Sequence, residues 1–91
     1  MRKDKRFINI GFNNCVNSDR VLTVVVPGTN PAKRLINDAR DSGKLIEANN
    51  GRKVKAVIVT DTGLVVLSGL NTSTITKRMN LIEDDNIINE E

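Results

Sequence analysis

The chain has 91 residues, 38% of them hydrophobic and 2% aromatic, and its net charge is +3, so we expect one small domain. A single cysteine, Cys15, excludes an internal disulfide, and the lack of histidine excludes the common zinc sites. No apolar stretch is long enough to span a bilayer, and the basic first six residues lead into a strand-like segment rather than a signal-peptide core. These features predict a cytoplasmic protein without a metal site or membrane partner, stabilised by association with copies of itself.

Charge is distributed unevenly along the chain. Residues 1–80 hold all 14 basic residues and six acids, a net charge of +8, whereas residues 81–91 hold five acids and no base. Such asymmetry is typical of proteins with a polyanionic partner. We therefore expect a basic domain over residues 1–80 and a mobile acidic tail over residues 81–91, which either competes for the basic site or improves solubility.

The first two predicted strands are short and apolar. Residues 7–12 alternate in polarity, with Phe7 opposed to Ile8 and Ile10, and close in a turn at Asn13 and Asn14, after which a loop is expected. Residues 21–26 form a β-branched run ended by Pro27 and Gly28. Because this run is apolar on both faces, one face is expected to meet the core and the other a helix or a neighbouring subunit.

One amphipathic helix follows. Asn30 is the predicted N-cap, with a proline in the first turn, and Gly43 is the predicted end. The expected buried stripe has helical spacing and consists of Ala32, Leu35, Ile36 and Ala39. The outer face is basic, and we interpret it as a solvated surface.

The residue pattern after Gly43 predicts several strands and then a short final helix. Residues 44–48 form a short strand, 49–51 a turn, and 56–67 a hairpin that reverses at residues 61–63. Thr72 or Ser73 is the predicted N-cap of a last short helix that runs through Ile75 and Met79. The expected fold class is therefore α+β, with a small mixed, mainly antiparallel sheet, one central helix and a short C-terminal helix.

The residue inventory argues against catalysis. The chain has no histidine or tyrosine to transfer protons, no activated nucleophile pair, and no glycine-rich phosphate loop. We therefore expect a protein that is not an enzyme and needs no cofactor.

Cations beside two predicted turns form the candidate site. Arg20 stands just before one strand, and Arg52, Lys53 and Lys55 stand just before another. Arginine forks and lysine charges suit phosphate oxygens, and turns that precede strands can place both groups on one edge of a sheet. Because the only aromatic residues, Phe7 and Phe12, are expected in the core, duplex DNA is a better predicted partner than a single strand read by stacking.

Several separate segments, at matching spacing over residues 5–79, closely resemble the RemA family of small bacterial regulators of extracellular-matrix (biofilm) genes. These segments are Ile8–Asn14, Pro31–Ile36, Asp38–Arg40, Asn50–Lys53, Ala56–Val59 and Val66–Ser68.

The resemblance implies a DNA-binding transcriptional regulator whose subunits form a closed homo-oligomeric ring. The family's DNA-contacting arginine falls on Arg20, and its Gly-Arg-Arg turn falls on Gly51, Arg52 and Lys53. Lys53 replaces an arginine, which keeps the charge and loses the bidentate geometry. Asn50 stands where the family commonly has an aromatic residue, and Asn13 stands where it commonly has glycine. Both differences affect the shape of the loops that contain them.

Two other interpretations stay open. The chain could form a structural or protein-interaction ring whose cations only solvate its surface, or it could be an RNA-binding module. Salt separates the first from DNA binding, because contacts to phosphates weaken steeply with ionic strength and apolar assembly does not. A preference for single-stranded RNA over duplex DNA identifies the RNA-binding module.

Overall fold

The structure is a computed structural model that describes residues 7–80. Within these residues the chain forms six strands and two α-helices. The strands are β1 (Phe7–Gly11), β2 (Asn14–Asn17), β3 (Val21–Val25), β4 (Leu45–Glu47), β5 (Ala56–Thr60) and β6 (Val65–Ser68). Helix α1 is Asn30–Ser42, helix α2 covers residues 72–80, and a short 3-10 helix, Ser18–Arg20, precedes β3. The predicted acidic tail, residues 81–91, lies outside the described residues.

Strands β1 and β2 form an antiparallel hairpin. Gly11 pairs with Asn14 across a two-residue turn in which Phe12 and Asn13 have φ values of 54° and 64°. Two positive φ values are the signature of a type I′ turn, whose twist matches that of the paired strands. The predicted first strand is confirmed, whereas the loop expected after residue 14 is wrong, because this segment folds back as β2.

The other four strands form one mixed sheet in the order β3-β5-β6-β4. β5 pairs antiparallel with β3 and β6, and β4 pairs parallel with β6. Helix α1 joins β3 to β4, the two edge strands, which run in the same direction, and such a connection needs a crossover rather than a tight turn. The predicted α+β class with a mainly antiparallel sheet is confirmed.

The central strands β5 and β6 are covered on both faces. On one face, Val57, Val65 and Leu67 pack with Ala39 of α1. On the other, the β1–β2 hairpin and α2 supply the cover, in a cluster of Ile8, Ile10, Ala48, Ala56, Ile58, Val66 and Ile75. This double burial explains why these two strands are apolar almost throughout.

A buried serine joins the hairpin to the sheet. The Ser68 hydroxyl, at the end of β6, donates to the carbonyl oxygen of Ile10 at 2.7 Å and accepts from the amide of Leu70 at 3.0 Å. Ser68 is fully buried. Its hydroxyl therefore fixes both the position of β1 and the course of the chain that leaves β6.

Helix α1 begins one residue earlier than its predicted cap implied. Thr29, not Asn30, is the N-cap, and its hydroxyl accepts from the amide of Ala32 at 3.2 Å. Asn30 is already helical, which places the proline one position further inside the first turn, where its missing N–H costs nothing. Gly43 ends the helix with a φ of 77°, as predicted.

The apolar surface of β3 is only partly covered. β3 is an edge strand of the sheet, and Leu22 is 69% exposed. Val26, just beyond the strand, is also exposed. Within residues 7–80, neither helix is long and apolar enough to cross a bilayer.

Candidate nucleic-acid interface

The turn that presents Arg52 is closed by its own backbone. The amide of Arg52 donates to the carbonyl oxygen of Asn49 at 2.9 Å, and Asn50 and Gly51 between them have φ values of 55° and 76°. Asparagine followed by glycine is the preferred pair for such a turn, because both tolerate positive φ. The side-chain amide of the buried Asn49 also donates to the carbonyl oxygen of Arg52. The turn predicted at residues 49–51 is confirmed, and it holds Arg52 in a defined place.

The tip of the β1–β2 hairpin lies against this turn. The Asn14 side chain donates to the carbonyl oxygen of Ala48 at 3.1 Å. The Arg52 guanidinium carbon lies 5.5 Å from the centre of the Phe12 ring, a cation–π contact. Segments 40 positions apart in the sequence therefore meet at one surface.

Neither phenylalanine belongs to the core, so that prediction is wrong. Phe7 is 58% exposed and Phe12 is 44% exposed. Phe7 is on the outer side of β1, because its neighbours Ile8 and Ile10 occupy the buried side. Phe12 is at the apex of the hairpin turn, where its side chain lies over the chain that follows β6.

A pocket of about 390 Å³ opens between the two turns and is lined by Phe12, Arg52, Lys53, Lys55 and Gly69. Three of the five lining residues are cations, and no carboxylate is among them. Gly69 lies beside the ring, and a Cβ there would be 3.5 Å from Cε2 of Phe12, an ordinary contact distance. The structure thus brings three of the four predicted site residues together around one aromatic ring.

Arg20 does not share this pocket. It ends the 3-10 helix before β3, where its carbonyl oxygen accepts from the amide of Asp61 at 2.8 Å. Because β3 and β5 are antiparallel, Arg20 lies beside the end of β5, whereas Lys55 precedes its start. The backbone from Lys55 to Asp61 spans about 20 Å at the usual rise of an extended strand. The expectation that both groups of cations lie on one edge of the sheet is wrong.

Arg20 also has a carboxylate partner. Its guanidinium lies 2.9 Å from Oδ2 of Asp61, and both side chains are substantially exposed. Asp61 is also the first residue of the turn between β5 and β6. The pair holds the Arg20 fork in place and reduces the net positive charge at this end of the sheet.

The geometry of the pocket suits the binding of phosphate. The pocket presents one guanidinium and two ammonium groups, which stabilise anions by charge and by hydrogen bonds. Among residues 7–80, no group of three or more cysteine, aspartate or glutamate side chains is placed to hold a metal ion. The sequence did not predict Phe12 as a residue of the site. Its position between glycine and asparagine residues, which favour turns, was the signal that the ring lies at the surface.

Comparison with known proteins identifies relatives over most of the chain. Residues 7–79 match the model of the RemA-like family, described as extracellular matrix regulatory protein A-like. A protein of Geobacillus thermodenitrificans is 46% identical over 74 residues, which cover 81% of this chain and 85% of the relative. A Synechococcus protein is 49% identical over 75 residues, covering 82% and 84%. A protein of Carboxydothermus hydrogenoformans is 44% identical over 79 residues, covering 87% and 91%.

All three relatives carry the name "Putative regulatory protein". The family match covers nearly all of the described residues, and both the hairpin tip and the cationic turn lie inside it. The chain therefore belongs to the RemA-like family.

Proposed function

We propose that this chain is a cytoplasmic DNA-binding transcriptional regulator that controls extracellular-matrix (biofilm) genes and binds duplex DNA from a ring of identical subunits. The observation that carries the proposal is the pocket in which Arg52, Lys53 and Lys55 converge without a carboxylate. The family description and the regulatory names of the relatives support the choice of process.

In this proposal the pocket cations hold phosphates of the DNA backbone, and Arg20 contacts a separate stretch. The two sites lie at opposite ends of β5, about 20 Å apart, which is about six base pairs of duplex at 3.4 Å each. Contacts to phosphates give affinity rather than sequence information. Sequence preference then comes from the shape and deformability of the DNA.

Assembly into a ring would multiply these weak contacts. The exposed apolar side chains at the β3 edge, Leu22 and Val26, offer a surface for a second copy of the chain. Each subunit would add one pocket and one Arg20 to the array. Linked sites bind far more tightly than single ones, because later contacts form within one complex.

The alternatives are an interaction ring without DNA binding and an RNA-binding module. The test is to titrate a labelled duplex by fluorescence anisotropy from about 50 to about 200 mM salt, with the mass of the assembly measured at each salt concentration. We expect affinity to fall steeply while the mass stays constant. Absence of binding at low salt would favour the interaction ring, and displacement of the duplex by equimolar single-stranded RNA would favour the RNA-binding module.

The ion pair at the far end of β5 predicts a gain of affinity. Asp61→Asn removes a carboxylate that repels DNA and that holds the Arg20 fork. Exposed pairs are worth up to about 1 kcal/mol, so affinity should rise about two- to fivefold. The matched control is Glu47→Gln, since Glu47 is also an exposed acid, 4.0 Å from Arg40. Equal gains in both variants would show that only net charge matters.

A further inference from the structure

Phe12 is a large apolar residue outside the core, and its ring lies against Arg52 and Gly69. It is 44% exposed, and it occupies the first central position of a type I′ turn with a φ of 54°. Glycine, asparagine and aspartate are the residues favoured there, and a bulky residue with positive φ is an outlier. Phe12 therefore adopts a backbone conformation that a bulky residue does not favour, and its ring lies at the surface.

The surroundings of the ring indicate the kind of ligand that fits it. The planar guanidinium of Arg52 lies over the ring, so a flat group fits against that face once the Arg52 side chain moves away. Lys53 and Lys55 line the same pocket. A flat aromatic surface beside cations is the combination that binds a nucleotide, whose base stacks while its phosphate pairs with the charges.

We infer that this pocket accommodates a single unstacked nucleotide, with its base on Phe12 and its phosphate on the pocket cations. The base takes the place of the guanidinium over the ring, and the released Arg52 fork turns to the phosphate. This inference rests on the proposed function and adds to it a preference for DNA in which one base has left the helix. In an intact duplex the bases are stacked and paired, so only the phosphates reach the pocket.

The experiment compares three labelled duplexes of equal length: fully paired, with one unpaired deoxyadenosine in the centre, and with an abasic residue at that position. The abasic duplex keeps the bend and the extra phosphate and lacks only the base. We expect the duplex with the unpaired base to bind about tenfold more tightly than the abasic one, the size of one base–aromatic stack. In the same assay Phe12→Leu should reduce this ratio to about one, and Phe12→Tyr should retain it.

A second arm distinguishes a nucleotide within DNA from a free one. Isothermal titration with deoxyadenosine 5′-monophosphate and with inorganic phosphate measures the contribution of the base outside a strand. If the monophosphate binds more tightly than inorganic phosphate, the pocket also accepts a free nucleotide. If the two bind equally while the unpaired-base duplex keeps its tenfold advantage, the pocket accepts a nucleotide only within DNA.

The result that overturns the inference is equal affinity for the unpaired-base and abasic duplexes together with equal binding of monophosphate and inorganic phosphate. This holds for the wild-type protein even if Phe12→Leu fails to fold. Failure of the proposed function looks different, because the wild-type protein would then bind none of the three duplexes at low salt.

Discussion

Replacing Arg52 and Lys53 together with alanine should reduce the affinity for duplex DNA by about 60-fold for each engaged subunit at about 0.1 M salt. Each phosphate contact raises the logarithm of the binding constant by about 0.9 for every tenfold decrease in salt below about 1 M. The loss of two contacts therefore lowers it by about 1.8 at about 0.1 M salt. The slope of log affinity against log salt should fall by about 2 per subunit. Anisotropy titrations at several salt concentrations measure both quantities.

The matched control removes the same charge from the other face of the sheet. Lys33 and Arg40 are exposed cations of α1, which packs on the face opposite the β1–β2 hairpin. Lys33→Ala with Arg40→Ala should change affinity only through net charge, by a few-fold at most. If this control weakens binding as much as the pocket variant does, the DNA interface is not at the pocket.

Replacing Ser68 with alanine should lower the free energy of unfolding by about 2–3 kcal/mol. The substitution removes both hydrogen bonds of the buried hydroxyl, to Ile10 and Leu70, and leaves a carbonyl oxygen and an amide without that partner. For a domain of this size the loss corresponds to a fall of about 10–20 °C in the melting temperature. Thermal unfolding followed by circular dichroism measures it.

Ser73→Ala is the control for this experiment, because Ser73 is an exposed residue of α2. It should change stability by no more than about 0.5 kcal/mol. A melting temperature for Ser68→Ala equal to that of the control would mean that apolar contacts alone attach the hairpin to the sheet.

The sequence predicts those elements whose cause is local. Gly43 ends α1 because a residue with positive φ is needed there, and Asn50 with Gly51 forms the turn for the same reason. The alternating pattern of β1 correctly placed Ile8 and Ile10 in the core. Thr29 and Asn30 are both good capping residues, so local preference could not decide which one begins the helix.

The candidate site depends on facts that local pattern does not contain. Arg20 and Arg52 each precede a strand, and only the antiparallel pairing of β3 with β5 places them at opposite ends of the sheet. Hydrophobicity suggested that Phe12 is buried, but its position in a two-residue turn exposes it. Pairing of distant strands therefore determined which predicted cations meet, and around which side chain.

The order in which the chain folds has a consequence for the newly made protein. Hairpins β1–β2 and β5–β6 join neighbouring strands, and such local structures form within microseconds. The contact between Phe12 and Arg52 requires the β1–β2 hairpin to dock against the turn between β4 and β5, a long-range step that is slower. We expect a partly folded chain to carry the full positive charge before it has the pocket. If the chain binds DNA as proposed, nonspecific attraction to nucleic acid precedes formation of the pocket in each newly made chain.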